Sequence, residues 1–176
     1  HDSHNHEGHH HASGSLDPHI WLSPSYVKQI SLDIKNTLCK VDKLHCASYT
    51  ENYQHFLQEI QNTDTKVKEL LSDVKKGSAM MVYHPSWGYF AREYGLKQVA
   101  VELNGKSPKL SHLKAFIQRV KSKNIKIVFV QKEFSQKSAQ LIANSSGAKV
   151  VAISPLSQYW SKNMIDTATF IQKSYE

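Results

Sequence analysis

From Ser23 onward the apolar positions follow two kinds of spacing. Val27, Ile30, Ile34 and Leu38 recur every three or four residues, which predicts an amphipathic helix. Ser23 suits its N-cap and Pro24 its first turn. A longer stripe follows: Tyr49, Tyr53, Phe56, Leu57, Ile60, Val67, Leu70, Leu71 and Val74. One helix over about 47–75 accounts for it, roughly 40 Å long at 1.5 Å per residue, with Gly77 ending it. Beyond this point short apolar runs alternate with helical patterns. Strands are expected at Met80–Tyr83, Gln98–Leu103, Ile125–Val130 and Lys149–Ile153. Helices are expected at Trp87–Tyr94 with Gly95 as cap, from Ser107-Pro108 through Leu110, Leu113, Phe116, Ile117 and Val120, from Ser135 to Gly147, and at Met164–Lys173. Near-continuous apolar strands separated by helices predict an α/β fold: a four-stranded parallel sheet with helices on both faces. Such sheets bind ligands beyond the carboxyl ends of their strands.

Composition narrows this picture. The chain has 176 residues, 40% of them hydrophobic, enough for one core. No apolar run approaches the roughly 20 residues of a membrane span. Its start is polar and His-rich, so no signal peptide is expected; the chain reads as cytosolic, or as the mature or trimmed form of an exported protein. The net charge is +7, but the lysines (Lys66, Lys68, Lys75, Lys76, Lys121, Lys123, Lys126) are scattered over helical faces. No nucleic-acid motif with an aromatic platform accompanies them, so nucleic acid is not an expected partner. Cys39 and Cys46 flank a break between helical patterns. They read as a short disulfide loop, as two free thiols, or, with His45, as an incomplete metal cluster.

Candidate chemistry centres on histidine. His84 directly follows a predicted strand and His19 directly precedes a predicted helix. Imidazole is the commonest transition-metal ligand at neutral pH. Residues 1–14, HDSHNHEGHHHASG, lack an apolar period and are expected to be flexible. His1, His4, His6, His9, His10 and His11 there read either as an expression tag or as an auxiliary metal-gathering segment with affinity for zinc, copper or nickel. His45, His55 and His112 receive no role. Gly105-Lys106-Ser107 lacks the upstream glycine of a phosphate loop, and no HExxH or GxSxG occurs. An enzyme is not expected.

DPHIWLSP (17–24) resembles the hallmark segment of the receptors that serve zinc and manganese ABC importers. VYHPSWGYFAREYGL (82–96) resembles that family's next ligand segment. VELNGKSP (101–108), IVFVQKEFSQKSAQLIA (127–143) and GAKVVAISPL (147–156) resemble its later strands and turns. The His-rich run before DPHIW resembles the loop of the zinc-specific, ZnuA-like branch. This resemblance implies two lobes joined by a long helix, with metal in the cleft. Residues 1–16 would be the His-rich loop, 17–46 a remnant of the N-terminal lobe, 47–76 the linker helix and 77–176 the C-terminal lobe. It implies His19 and His84 as metal ligands, zinc in preference to manganese, and an ABC permease as partner. It further implies a monomer when complete, at the periplasmic or extracellular face of the cytoplasmic membrane. Where the family carries Asp-Pro-Leu, this sequence has Ser154-Pro155-Leu156, so Ser154 is expected to line the cleft rather than ligate strongly.

Overall fold

The computed structural model describes residues 16–102, 109–131 and 136–176. A 3-10 turn at Ile20–Leu22 leads into helix α1 (Pro24–Val41). The Ser23 hydroxyl accepts the Tyr26 amide at 3.4 Å and Pro24 occupies the first turn, as the pattern predicts. A second 3-10 turn (Lys43–His45) precedes α2 (Cys46–Leu70), which at 1.5 Å per residue is about 37 Å long. The two helices pack on each other. A disulfide between Cys39 and Cys46, with Cα atoms 4.5 Å apart, closes the bend between them.

The second helix stops short of the expected Gly77. Ser72 turns its amide to the Glu69 carbonyl and Val74 to that of Leu71. The tighter turn lets Leu71, and with it Leu70 and Val74, reach the core, a tertiary demand that outweighs helical periodicity. Gly77 serves the next corner instead. Its φ of +80° suits glycine, and its amide donates to the Gly95 carbonyl at 2.7 Å.

The remaining elements are β1 (Ala79–Val82), α3 (Gly88–Glu93), β2 (Lys97–Ala100), α4 (Leu110–Ser122), β3 (Ile127–Val130), α5 (Gln136–Ser146), β4 (Lys149–Ala152) and α6 (Trp160–Tyr175). All four strands are parallel, in the order β2-β1-β3-β4, which is the α/β architecture read from the sequence. Backbone pairing runs past the strand ends: Val101 and Glu102 donate to Val82 and Tyr83, and Ile153 donates to Val130. The expected starts of α4 at Ser107-Pro108 and of α5 at Ser135 lie outside the described residues. Helix α6 begins a turn before the expected Met164. Its N-cap, Tyr159, makes no capping bond, so the sequence carries no start signal there.

Alternation along the strands divides the core into two layers. Met80, Val82, Ile127, Phe129, Val151 and Ile153 face α2, α3 and α6. Ala79, Met81, Val101 and Val128 face α4 and α5. Both faces are covered, so β1 and β3 are buried along their whole length. The chain steps from β1 to β2 on one side, then returns to β3 and β4 on the other. The order therefore reverses between β1 and β3, which is where such sheets open a crevice at their carboxyl ends.

Candidate metal site

His84 stands at that reversal. It lies two residues past β1, and Tyr83 before it still donates its amide to the Phe129 carbonyl at 2.8 Å. After His84 the chain turns sharply, with the Ser86 amide on the His84 carbonyl at 2.9 Å. The Gln98 side chain accepts the Trp87 amide at 2.6 Å and fixes the start of α3. A narrow crevice beside His84 is lined by Val82, Ser86, Trp87, Phe129 and Ile153, among others. The buried Ser86 hydroxyl has no hydrogen-bond partner among the described residues.

His19 reaches the same edge from the other end of the chain. Its segment is tied down at several points. The Trp21 indole donates to the Pro155 carbonyl at 2.7 Å, and the Trp160 indole donates to the Trp21 carbonyl at 2.8 Å. Leu22 is buried in the core. The hydroxyls of Ser23 and Ser25 both donate to the Glu93 carboxylate on α3. Tyr89 of α3 donates to the Asp17 carbonyl at 3.2 Å. These bonds bring the His19 and His84 rings to 5.5 Å between centroids, edge to face at 79°.

Each ring is held on one nitrogen. Nδ1 of His19 lies 2.6 Å from Asp17 Oδ1, which also accepts the His19 amide at 3.0 Å. Nδ1 of His84 lies 3.0 Å from Glu102 Oε2. An ionised carboxylate only accepts, so a neutral imidazole bonded to it must carry its proton on Nδ1. The Nε2 lone pair of each ring is then the one available to a metal ion. Carboxylate partners of this kind orient ligating histidines and raise their basicity. Burial, and after it the Glu102 charge, raises the Tyr83 hydroxyl above its ordinary titration range.

Asp17 and Glu102 escaped the sequence reading. Asp17 had a signal, a short acceptor two residues before a histidine. Glu102 had none, because only the parallel pairing of β2 with β1 sets it beside His84. Among the described residues no group of three or more His, Cys, Asp or Glu side chains is arranged to hold an ion. The Ser154 hydroxyl accepts the Leu156 amide at 3.2 Å and its carbonyl accepts the Asn163 side chain at 2.9 Å. The neighbouring Pro155 carbonyl ties this loop to Trp21. Cys39 and Cys46 are joined to each other, and His45 Nδ1 sits 2.8 Å from Asp42. The His-rich run with His4, His6, His9, His10 and His11 lies outside the described residues.

Comparison with known proteins gives this pair of rings a context. The model of the family ZnuA, zinc-uptake complex component A, periplasmic, matches residues 1–173. The chain belongs to the ZnuA family. This is a family of metal-binding receptors and not of enzymes. The zinc-binding protein AdcA of Streptococcus pyogenes is 30% identical over the whole chain, which covers 34% of that relative. The high-affinity zinc uptake system protein ZnuA of Bacillus subtilis is 29% identical over 82% of the chain, covering 46% of that relative. The chain thus spans about a third to a half of the length of these relatives. A crystal structure of ZnuA superposes with a TM-score of 0.86 at 35% identity, over 92% of this chain and 63% of that one. The laminin-binding protein of Streptococcus agalactiae, described as bifunctional with adhesin and metal-transporting activity, matches with a TM-score of 0.81 at 25% identity, over 92% of this chain and 65% of that one.

Proposed function

We propose that this chain captures zinc outside the cytoplasmic membrane and delivers it to the permease of an ABC importer. The observation that carries this reading is the pairing of His19 and His84, each with Nδ1 on a carboxylate and Nε2 left for a metal. Imidazole nitrogen suits zinc, whereas manganese favours oxygen ligands. Two protein nitrogens leave further positions of a tetrahedral ion to groups beyond the described residues. In this reading His4, His6, His9, His10 and His11 gather metal, Ser154 lines the cleft and residues 47–76 link two lobes. Residues 17–46 then belong to the upstream lobe. An open apolar groove of about 290 Å³ between α1 and α2, lined by Ile34, Leu38, Tyr53 and Phe56 among others, supports that assignment. The zinc names of the relatives support the cargo.

Zinc titration calorimetry on the chain, on His19→Ala and His84→Ala, and on a version without residues 1–14 tests the reading. Each histidine substitution is expected to weaken the tight site more than the about 10–100-fold that loss of an outer partner costs. Removal of the His-rich run is expected to remove weaker sites only. Tight binding that survives the double variant but not the deletion would overturn the proposal in favour of a His-rich metal buffer.

A further inference from the structure

We propose that Asp17 and Glu102 are positioning residues that set the tautomer and aim of the two imidazoles, and that Gly88 is a glycine because Asp17 needs its space. This rests on the zinc reading above and adds to it the groups that prepare the ligands before any ion arrives.

The arrangement is the same at both rings although it is built from unrelated elements. Asp17 is local: it closes a tight turn by accepting both the amide and Nδ1 of His19 through one oxygen. Glu102 is remote. It lies just past β2 and meets His84, just past β1, because the two strands are parallel and Ala79 pairs with Lys97. The Glu102 amide donates to the Tyr83 carbonyl at 3.0 Å, so its backbone is held one residue from His84. Both carboxylates are largely shielded, with side-chain exposures of 30% for Asp17 and 12% for Glu102. Neither makes an ion pair with lysine or arginine among the described residues, and each holds an imidazole nitrogen instead.

The other oxygen of Asp17 explains Gly88. A Cβ at that position would stand 2.9 Å from Asp17 Oδ2, closer than a carbon and a carboxylate oxygen tolerate. Gly88 has no positive φ, so its need is space and not backbone freedom. Tyr89 next to it donates to the Asp17 carbonyl. The start of α3 therefore holds Asp17 from the backbone side and leaves room on the carboxylate side. A methyl group at Gly88 displaces the carboxylate and, through it, His19.

An imidazole released from its carboxylate interconverts between tautomers and rotates about its side chain. Both cost affinity, because zinc must then select the Nδ1–H form in one orientation. Outer partners of ligating histidines typically contribute about 10–100-fold in metal affinity.

The test uses the full chain, zinc chloride as the only ligand, and two readouts. Nitrogen-15 NMR of the imidazoles in the metal-free protein reports the tautomer directly. Calorimetry reports zinc affinity, with metal-free melting temperature as a control for folding. The expected result is an Nδ1–H tautomer for His19 and His84 in the unsubstituted chain. In Glu102→Ala, His84 alone becomes a mixture and zinc binding weakens about 10–100-fold. Glu102→Gln, which keeps an acceptor, restores most of the tautomer and affinity. Gly88→Ala perturbs His19 and leaves His84 unchanged. An Nε2–H tautomer in the unsubstituted chain overturns the proposal. So does unchanged affinity in both Glu102→Ala and Asp17→Ala where His19→Ala and His84→Ala weaken it, and so does a loss that tracks melting temperature without a tautomer change. If instead His19→Ala and His84→Ala leave tight binding intact while the tautomers are as expected, the zinc-site reading has failed and the positioning itself stands.

Discussion

At the residue scale, the same physics that orients the site residues also governs groups far from it. Tyr94, at the end of α3, donates to Asp64 of α2 at 3.1 Å. Burial first, then the Asp64 charge and the hydrogen bond to it, raises its titration far above that of an exposed tyrosine. The sign follows from linkage: the folded state keeps the phenol proton where the unfolded chain, at about 10, releases it. The stabilisation is complete below pH 10 and is lost as pH rises toward the folded value. Denaturant unfolding between pH 9 and about 11 is therefore expected to show falling stability, and Tyr94→Phe a shallower fall. Equal slopes would show that Tyr94 is not a source of the alkaline loss. Among residues, His19 and His84 stood out in the sequence by type and by place beside predicted elements. Their carboxylate partners were legible only in part. A bond two residues long leaves a trace in sequence, and one across a sheet does not.

At the scale of elements, the best-read segments were those whose ends carry local chemistry. Helix α1 starts where Ser23 and Pro24 place it, and α3 gives way to a glycine with φ of +69° at Gly95. The end of α2 and the start of α6 were missed because packing decided them: Leu71 goes to the core and the Trp160 indole to the Trp21 carbonyl. The bend between α1 and α2 combines several restraints. The Asp42 side chain accepts from the His45 amide and the Tyr49 hydroxyl, and the Cys39–Cys46 disulfide closes a short loop. In the chain-entropy model a loop of this size contributes about 2–3 kcal/mol. Urea unfolding of the Cys39→Ser, Cys46→Ser double variant is expected to show a loss of up to that amount. Zinc affinity is expected to be unchanged, since α3 and the β4–α6 loop hold the His19 segment independently. A large fall in affinity at unchanged stability would show that the bend takes part in metal binding.

At the scale of the whole molecule, several lysines among the described residues gather at the end of the sheet away from His19 and His84. Lys97 and Lys149 open β2 and β4, Lys126 immediately precedes β3, and Lys75 and Lys76 shortly precede β1. Lys121 and Lys123 lie at the end of α4, which returns to the same edge. All seven are exposed. His19 and His84 sit at the opposite edge, beyond strands that are about 13 Å long at 3.3 Å per residue. That exceeds the Debye length of about 8 Å at physiological ionic strength, so these seven lysines repel a cation at His19 and His84 only weakly. Changing Lys97, Lys126 and Lys149 to Gln is expected to move zinc affinity by less than about twofold at that ionic strength. A tenfold gain would mean that the edge lysines act on the site.

The sequence by itself determined the order of helices and strands, the parallel sheet, the two histidines and, through family likeness, the metal proposed for them. These rest on periodicity, capping residues and short motifs, which act over a few residues and so are written along the chain. Tertiary structure alone decided that His19 and His84 face each other, that Glu102 holds one of them, and that Gly88 leaves room for Asp17. Those relations follow from strand order and from side chains that meet across elements. The energy of such contacts depends on distance in space, for which separation along the chain is no guide.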